Sequence, residues 1–245
     1  MTKKLNPLKI GDKFTTNEGY TVVVTSYENA HKVKIEYENG YSRFCSSSAI
    51  RLGKVKNYYH PSVYGVGFIG DGIHRACTGR KHTKAYKTWK SMLRRCYSDD
   101  FKIKAPSYIG CYVDPEWHNF QNFADWFYSN YVEGWSLDKD ILHPGNKIYS
   151  KSTCALVPRH VNSQVVDQAV QRGLYPVGVR RNYNKYHASI RVDMESVLVG
   201  IYKTQEEAQA AYSAAKRSEI KRVISLYPQL TEETKKALLS RTFTE

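Results

Sequence analysis

No stretch of this chain is long and apolar enough to span a bilayer, and its opening residues, Met1 to Pro7, lack the apolar core of a secretion signal. The expectation is a cytoplasmic protein. Paired cysteines are missing too: the 5 cysteines, Cys45, Cys77, Cys96, Cys111 and Cys154, are odd in number, widely spaced and without a Cys-x-x-Cys. That argues against a disulfide framework and against a structural zinc knuckle. Acid is scarce as well. Against 37 Lys and Arg stand 23 Asp and Glu, a formal charge of +14, and a field of that sign attracts phosphate backbones and raises encounter rates. A membrane surface is the competing polyanion, but no basic amphipathic helix with a clean lipid face is present. The expected partner is nucleic acid, not membrane.

Tyrosine is plentiful, with 20 residues spread along the chain. Most are expected to pack with the ring buried and the hydroxyl wet, although exposed tyrosines on a basic surface also suit nucleic acid. A chain of 245 residues can bury more than one core, and the pattern predicts a multidomain α+β protein. Residues 1–60 alternate like a small SH3-like β-barrel. Strands over Tyr20–Tyr27, Lys32–Tyr37 and Tyr41–Cys45 are separated by turns at Glu28–Ala30 and at Asn39-Gly40, a strong hairpin signal. Residues 61–82 follow as a glycine-rich connection. Gly65-Val66-Gly67-Phe68-Ile69-Gly70 matches the dinucleotide-binding spelling, but Asp71-Gly72 breaks any helix it would open.

Residues 83–172 form the central unit. Thr83 to Tyr97 is helical, with Tyr86, Trp89, Leu93 and Cys96 on one face and Lys87, Lys90 and Arg94 among the cations around the rest. No acid interrupts Arg80 through Tyr97, so two readings stand: a core helix with a basic exterior, or a helix that tracks phosphates. A second aromatic helix runs from Asn119 to Asn130, and Trp117, Trp126 and Trp135 read as packing anchors. Beyond them lies a β-β-α pattern: a strand over Ser136–Ile141, a turn at Pro144-Gly145-Asn146, a returning strand over Thr153–Val157, and a helix that Pro158 could start, containing Asn162.

Residues 173–245 form the last unit. Val177–Arg181 and Tyr186–Val192 read as facing strands across Asn182–Lys185, and Ser196–Tyr202 as a third. Thr204 caps a helix, with Glu207 placed for a capping box. Ala188, Ile190 and Val192 fall on one face of the second strand, His187, Ser189 and Arg191 on the other. The helix is expected to cover the apolar face and leave the basic face open.

These motifs, Gly-Val-Arg, Tyr-x-Ala-x-Ile-Arg, Gly-Ile-Tyr-x-Thr and Glu-Glu-Ala-x-x-Ala-Tyr-x-x-Ala, resemble the APETALA-two or ethylene-responsive-factor DNA-binding domain over about residues 174 to 225. The resemblance implies a three-stranded sheet in the major groove of double-stranded DNA, with Arg180, Arg181, Lys185 and Arg191 as contacts. Tyr183 and Tyr186 stand in the neighbourhood where plant members carry tryptophans, so sequence preference does not carry over. The β-β-α unit resembles the HNH nuclease fold of phage and homing-endonuclease-like proteins, which implies the cytoplasm of an infected bacterium as the setting. In that likeness Asp138 and Asn162 would hold Mg²⁺ or Mn²⁺, and Asp140 could add a ligand. Lys139 stands where the general-base His is expected. Lysine in ordinary surroundings is protonated at neutral pH, so His143 or His160 would have to aid the water. Two functions follow: a metal-dependent DNA endonuclease, or a degraded HNH scaffold that only binds DNA as a regulator. A third, RNA or single-strand binding through the N-terminal unit, rests on exposed aromatics. The tail from Leu230 carries one more helix signal at Thr231 and nothing specific.

Overall fold

The computed structural model describes residues 6–165, 175–193 and 195–241. The architecture is α+β, with several small sheets. Strands β1 (Lys13–Thr15), β2 (Thr21–Asn29), β3 (Lys32–Tyr37) and β4 (Ser42–Cys45) form an antiparallel sheet in the order β1-β2-β3-β4. Alternation puts Val22, Val24, Val33, Ile35 and Tyr37 on its buried face. The expected barrel does not form. Edge strands of three and four residues do not pair with each other; the apolar face is covered instead by Leu8, Val55 and Ile50, the last from helix α1 (Ser47–Arg51). Asn39-Gly40 makes the predicted turn, with Gly40 at φ 80.

The glycine-rich segment is packed rather than loose. A Cβ on Gly67 would lie 2.4 Å from Leu93 Cδ1 and 2.9 Å from Trp89 Cζ2, so glycine here lets the backbone touch the helix beneath it. A small hairpin, β5 (Cys77–Thr78) and β6 (Lys81–His82), then leads into α2 (Lys84–Tyr97), capped by the Thr83 side chain. Tyr86, Trp89, Leu93 and Cys96 are all buried, as their spacing predicts. They pack against Phe120, Phe123 and Phe127 of α4 (Phe120–Asn130), which follows the short α3 (Asp99–Lys104) and β7 (Tyr112–Val113). Trp89 Nε1 donates to the Trp117 carbonyl at 2.7 Å, so the indole is buried without leaving its donor unpaired. Trp117 in turn packs on Phe123 and Trp126, as an anchor should.

Strand β8 (Trp135–Asp138) pairs antiparallel with β10 (Ala155–Pro158), and α5 (Arg159–Val165) follows at once. The β-β-α pattern is therefore present, with two adjustments. The first strand ends at Asp138 because that carboxylate turns back to bond the backbone ahead of it. Pro158 closes β10 rather than opening the helix. Between the strands, β9 (Ile148–Tyr149) pairs parallel with β7 and ties the loop to the aromatic core.

The C-terminal sheet comprises β11 (Val179–Asn182), β12 (Lys185–Val192) and β13 (Glu195–Tyr202). Tyr183, at φ 52, makes the turn between the first two. Helix α6 (Gln205–Leu226) has the predicted capping box of Thr204 and Glu207. At 22 residues it is about 33 Å long, and it serves two cores. Ala208 and Tyr212 lie on the sheet beside Val179 and Ala188. Ile220 and Val223 pack instead with Val157, Val161 and Ile141 of the β-β-α unit, joined by Leu238 of α7 (Glu232–Leu239). The boundary drawn at 172 lies outside the described residues, but the last helices share a core with the unit before it. All 5 cysteines are free thiols, and burial pushes Cys96 and Cys154 up to about 12.

Candidate nucleic-acid interface

The faces of the C-terminal sheet follow from register. Val179 opposes Ala188, Arg180 opposes His187, and Asn182 opposes Lys185, while Ala188 is buried against α6. Alternation then puts Arg180, Asn182, Lys185, His187, Ser189 and Arg191 on the side away from the helix. On β13, Ile201, Leu198 and Ser196 oppose His187, Ser189 and Arg191 and complete that face. Among the described residues it carries no carboxylate. Arg180, Lys185 and Arg191 are exposed, and neither Arg180 nor Lys185 enters an ion pair among the described residues.

Two members of the expected contact set lie elsewhere. Arg181 opposes Tyr186, and both fall on the helix side of the sheet. There the Arg181 guanidinium lies 6.0 Å from the Tyr186 ring centre, and its Nε donates to the Tyr183 carbonyl. Tyr186 is half-buried, edge-on to Tyr175. The adjacent pair Arg180-Arg181 cannot face one way in an extended strand, which is why Arg181 departs from the expectation. Tyr183 stands at the hairpin tip, 92% exposed. On α2, Lys87, Lys90 and Arg94 are exposed along one stripe. None of the three is ion-paired among the described residues, though Arg94 covers the Phe101 ring.

The β-β-α unit holds a cleft of about 330 Å³, lined among others by Arg95, Asp138, Lys139, Tyr149, Arg159 and Asn162. Asp138 Oδ1 accepts from the backbone N–H of Asp140 at 2.9 Å and of Ile141 at 2.7 Å. Its Oδ2 has no hydrogen-bond partner among the described residues. Burial raises the Asp138 carboxyl above its ordinary range, against the pull of those two N–H groups. Asn162 Oδ1 is shielded from solvent and likewise without a partner, an acceptor that a bound cation would satisfy. In this respect the pair fits the expected ligand role.

Lys139 and Asp140 line the same cleft but are bound to each other, and the expected histidines do not reach it. Asp140 is past the end of the strand, and both its oxygens accept hydrogen bonds from Lys139 Nζ at 2.8 Å. Lys139 also donates to the Asn146 carbonyl, so it is buried as a staple of the 139–148 loop rather than poised over a substrate. His143 is exposed in that loop and does not line the cleft. His160 points to the C-terminal unit, its Nε2 3.7 Å from Asp193 Oδ1 and 4.0 Å from Glu219 Oε1. No imidazole lines the cleft among the described residues. His160, Asp193 and Glu219 bring three ligand atoms within 4.8 Å of one another. Arg222, however, bonds Glu219 at 2.7 Å and Asp193 at 2.8 Å, and already supplies a positive charge there.

Several cleft residues escape a sequence reading. Arg95 is distinguished from Arg94 only by the hundred degrees that one helical step turns it inward, where it meets Tyr149. Arg159 reaches the cleft because the helix starts directly after β10. Arg241, beyond α7, donates to the Asp140 carbonyl at 2.7 Å from 101 residues away, so the tail, which carried no functional signal, holds the Asp138 turn in place.

A test of the buried carboxylate follows. Asp138→Asn keeps an oxygen for the two N–H groups and removes the charge, so the variant is at least as stable as the parent at neutral pH. A raised folded-state pKa means that the native protein binds protons more tightly than the unfolded chain. Parent stability relative to Asp138→Asn therefore rises as pH falls from the raised value toward the ordinary 3.8. Urea unfolding of both proteins across that window checks it; parallel curves would show that Asp138 is not strained by burial.

Set against family models, curated proteins and solved structures, the chain gives no match in any of the three comparisons.

Proposed function

We propose that this protein binds double-stranded DNA through the outer face of β11–β13, with Lys87, Lys90 and Arg94 of α2 making further phosphate contacts. One observation carries the reading: a sheet face that presents Arg180, Lys185 and Arg191 together with Asn182, His187 and Ser189, and no carboxylate. Guanidinium forks suit guanine edges and phosphates, and Asn suits adenine. The turn residue Tyr183 adds an exposed ring at the rim. Electrophoretic mobility shift with a mixed-sequence duplex at rising salt tests it. Binding with a steep salt dependence, outcompeted by duplex better than by single strand or RNA, is the expected result; a preference for single strand would remove the reading.

A second reading is that the central cleft also cuts the strand, as an HNH-like phage endonuclease would. Asn162 Oδ1 and Asp138 Oδ2, two unpartnered acceptors on one cleft, favour it. They would hold Mg²⁺ or Mn²⁺, and the cation would supply charge stabilisation at the scissile phosphate and leaving oxygen. Arg95 and Arg159 would orient the phosphate. Among the described residues the cleft holds no imidazole to serve as the general base of an HNH-like site, and Lys139 is bound to Asp140 and Asn146. The binding reading is therefore the stronger, with the β-β-α unit as a phosphate-gripping scaffold of a DNA-binding regulator. A supercoiled-plasmid assay with Mg²⁺ or Mn²⁺ decides between them. The scaffold reading expects no nicked product above that of Asp138→Ala; a product that needs both metal and Asp138 would establish the nuclease.

A further inference from the structure

The outer face of the C-terminal sheet is not uniformly polar. Leu198 and Ile201 are 51% and 50% exposed, and they lie three positions apart on β13, a spacing that in a regular strand sends side chains to opposite faces. A bulge changes this. Ala188 pairs with Gly200 and Ser189 with Leu198, so Val199 is passed over. Val199 turns in to the core under α6, while Leu198 and Ile201 both come to the outer side, opposite Ser189 and His187. A bulge that re-aims a side chain is a recognised use of this irregularity. Its effect here is two aliphatic groups among Arg180, Lys185 and Arg191, with no carboxylate near them on that face.

A surface of this kind fits a partner that is anionic at its rim and carries isolated methyl groups within. The major groove of DNA has that composition: phosphates border it, and the thymine 5-methyl is its one apolar group. Successive outward positions on a strand are roughly 7 Å apart, about two steps of 3.4 Å along a DNA strand. We propose that Leu198 and Ile201 read thymine methyl groups, and so give the sheet a preference for thymine-containing sites. This rests on the duplex-binding reading above.

The test uses two duplexes of one sequence, a few hundred base pairs long, synthesised with thymidine or with deoxyuridine triphosphate. They differ only in the 5-methyl groups. The full-length protein is expected to bind the uracil duplex about three- to tenfold more weakly, the effect of one or two buried methyls. The double variant Leu198→Ser, Ile201→Ser should bind both duplexes equally, at the uracil level, with an unchanged salt slope. Equal binding of the two duplexes by the parent protein overturns the inference and leaves the duplex reading standing. Binding to neither overturns the duplex reading and this inference with it. The parent comparison decides even if the double variant fails to fold.

Discussion

Replacing Arg180, Lys185 and Arg191 together by alanine lowers duplex affinity on the order of a hundredfold in low salt, taking each as a charge-assisted contact of ~1 kcal/mol. It also flattens the plot of log affinity against log salt by about three, because each neutralised phosphate releases close to one counterion. Arg180 and Lys185 are exposed and outside any ion pair among the described residues, so the fold should tolerate their loss within about 0.5 kcal/mol per site, whereas Arg191, also exposed, acts electrostatically on the buried Lys216. Circular dichroism and a thermal melt separate lost binding from lost structure. Arg181→Ala is the internal control: it is next in sequence to Arg180 but on the helix side of the sheet, and it should cost much less. Equal losses from Arg180→Ala and Arg181→Ala would mean that the face assigned by register is not the face that meets DNA.

Gly178→Ala is expected to be the most damaging small substitution in the C-terminal unit. Gly178 sits at φ 75, and a Cβ there would lie 2.0 Å from Tyr212 Cε2 and 2.1 Å from Tyr212 Cδ2. Left-handed backbone costs a non-glycine residue about 1 to 2 kcal/mol, and forcing a methyl into a packed contact about 1 to 3 more. A total of about 3 kcal/mol is a large share of the stability of a small domain. Tyr212 belongs to the core that holds α6 against the sheet, so the loss should appear both as an earlier unfolding transition and as weaker DNA binding. A variant that melts with the parent protein would show that the close approach of Gly178 to Tyr212 is not what seats the helix.

That glycine also shows how far the sequence could be read. The order Gly-Val-Arg before a strand marked the position, but only the fold shows that the missing Cβ makes room for Tyr212. Elsewhere legibility followed periodicity. The buried stripe of α2, the aromatic stripe of α4 and the Thr204 cap on α6 were all readable, because each depends on residues within one or two helical turns. The N-terminal strands were readable too, whereas their closure into a barrel was not. Whether edges meet depends on strand length and on what else covers the apolar face, and α1 covers it here. At the cleft, the β-β-α unit that carries Asp138 and Asn162 was legible from local pattern and their pairing only from the HNH resemblance, while the directions of Lys139, His143 and His160 were not legible at all.

By itself, then, the sequence determined the mixed helices and strands, the positive charge, and a C-terminal hairpin with one polar and basic side, since local sterics and alternation act over a few residues. Alternation within the strands already turns Arg181 and Tyr186 away from Arg180; tertiary structure alone decided that a bulge at Val199 brings Leu198 and Ile201 out together, and that Arg241 returns to brace Asp138. Those outcomes depend on cross-strand register and on groups up to 101 residues apart. No local pattern encodes them, because the partner atoms meet only when the cores close.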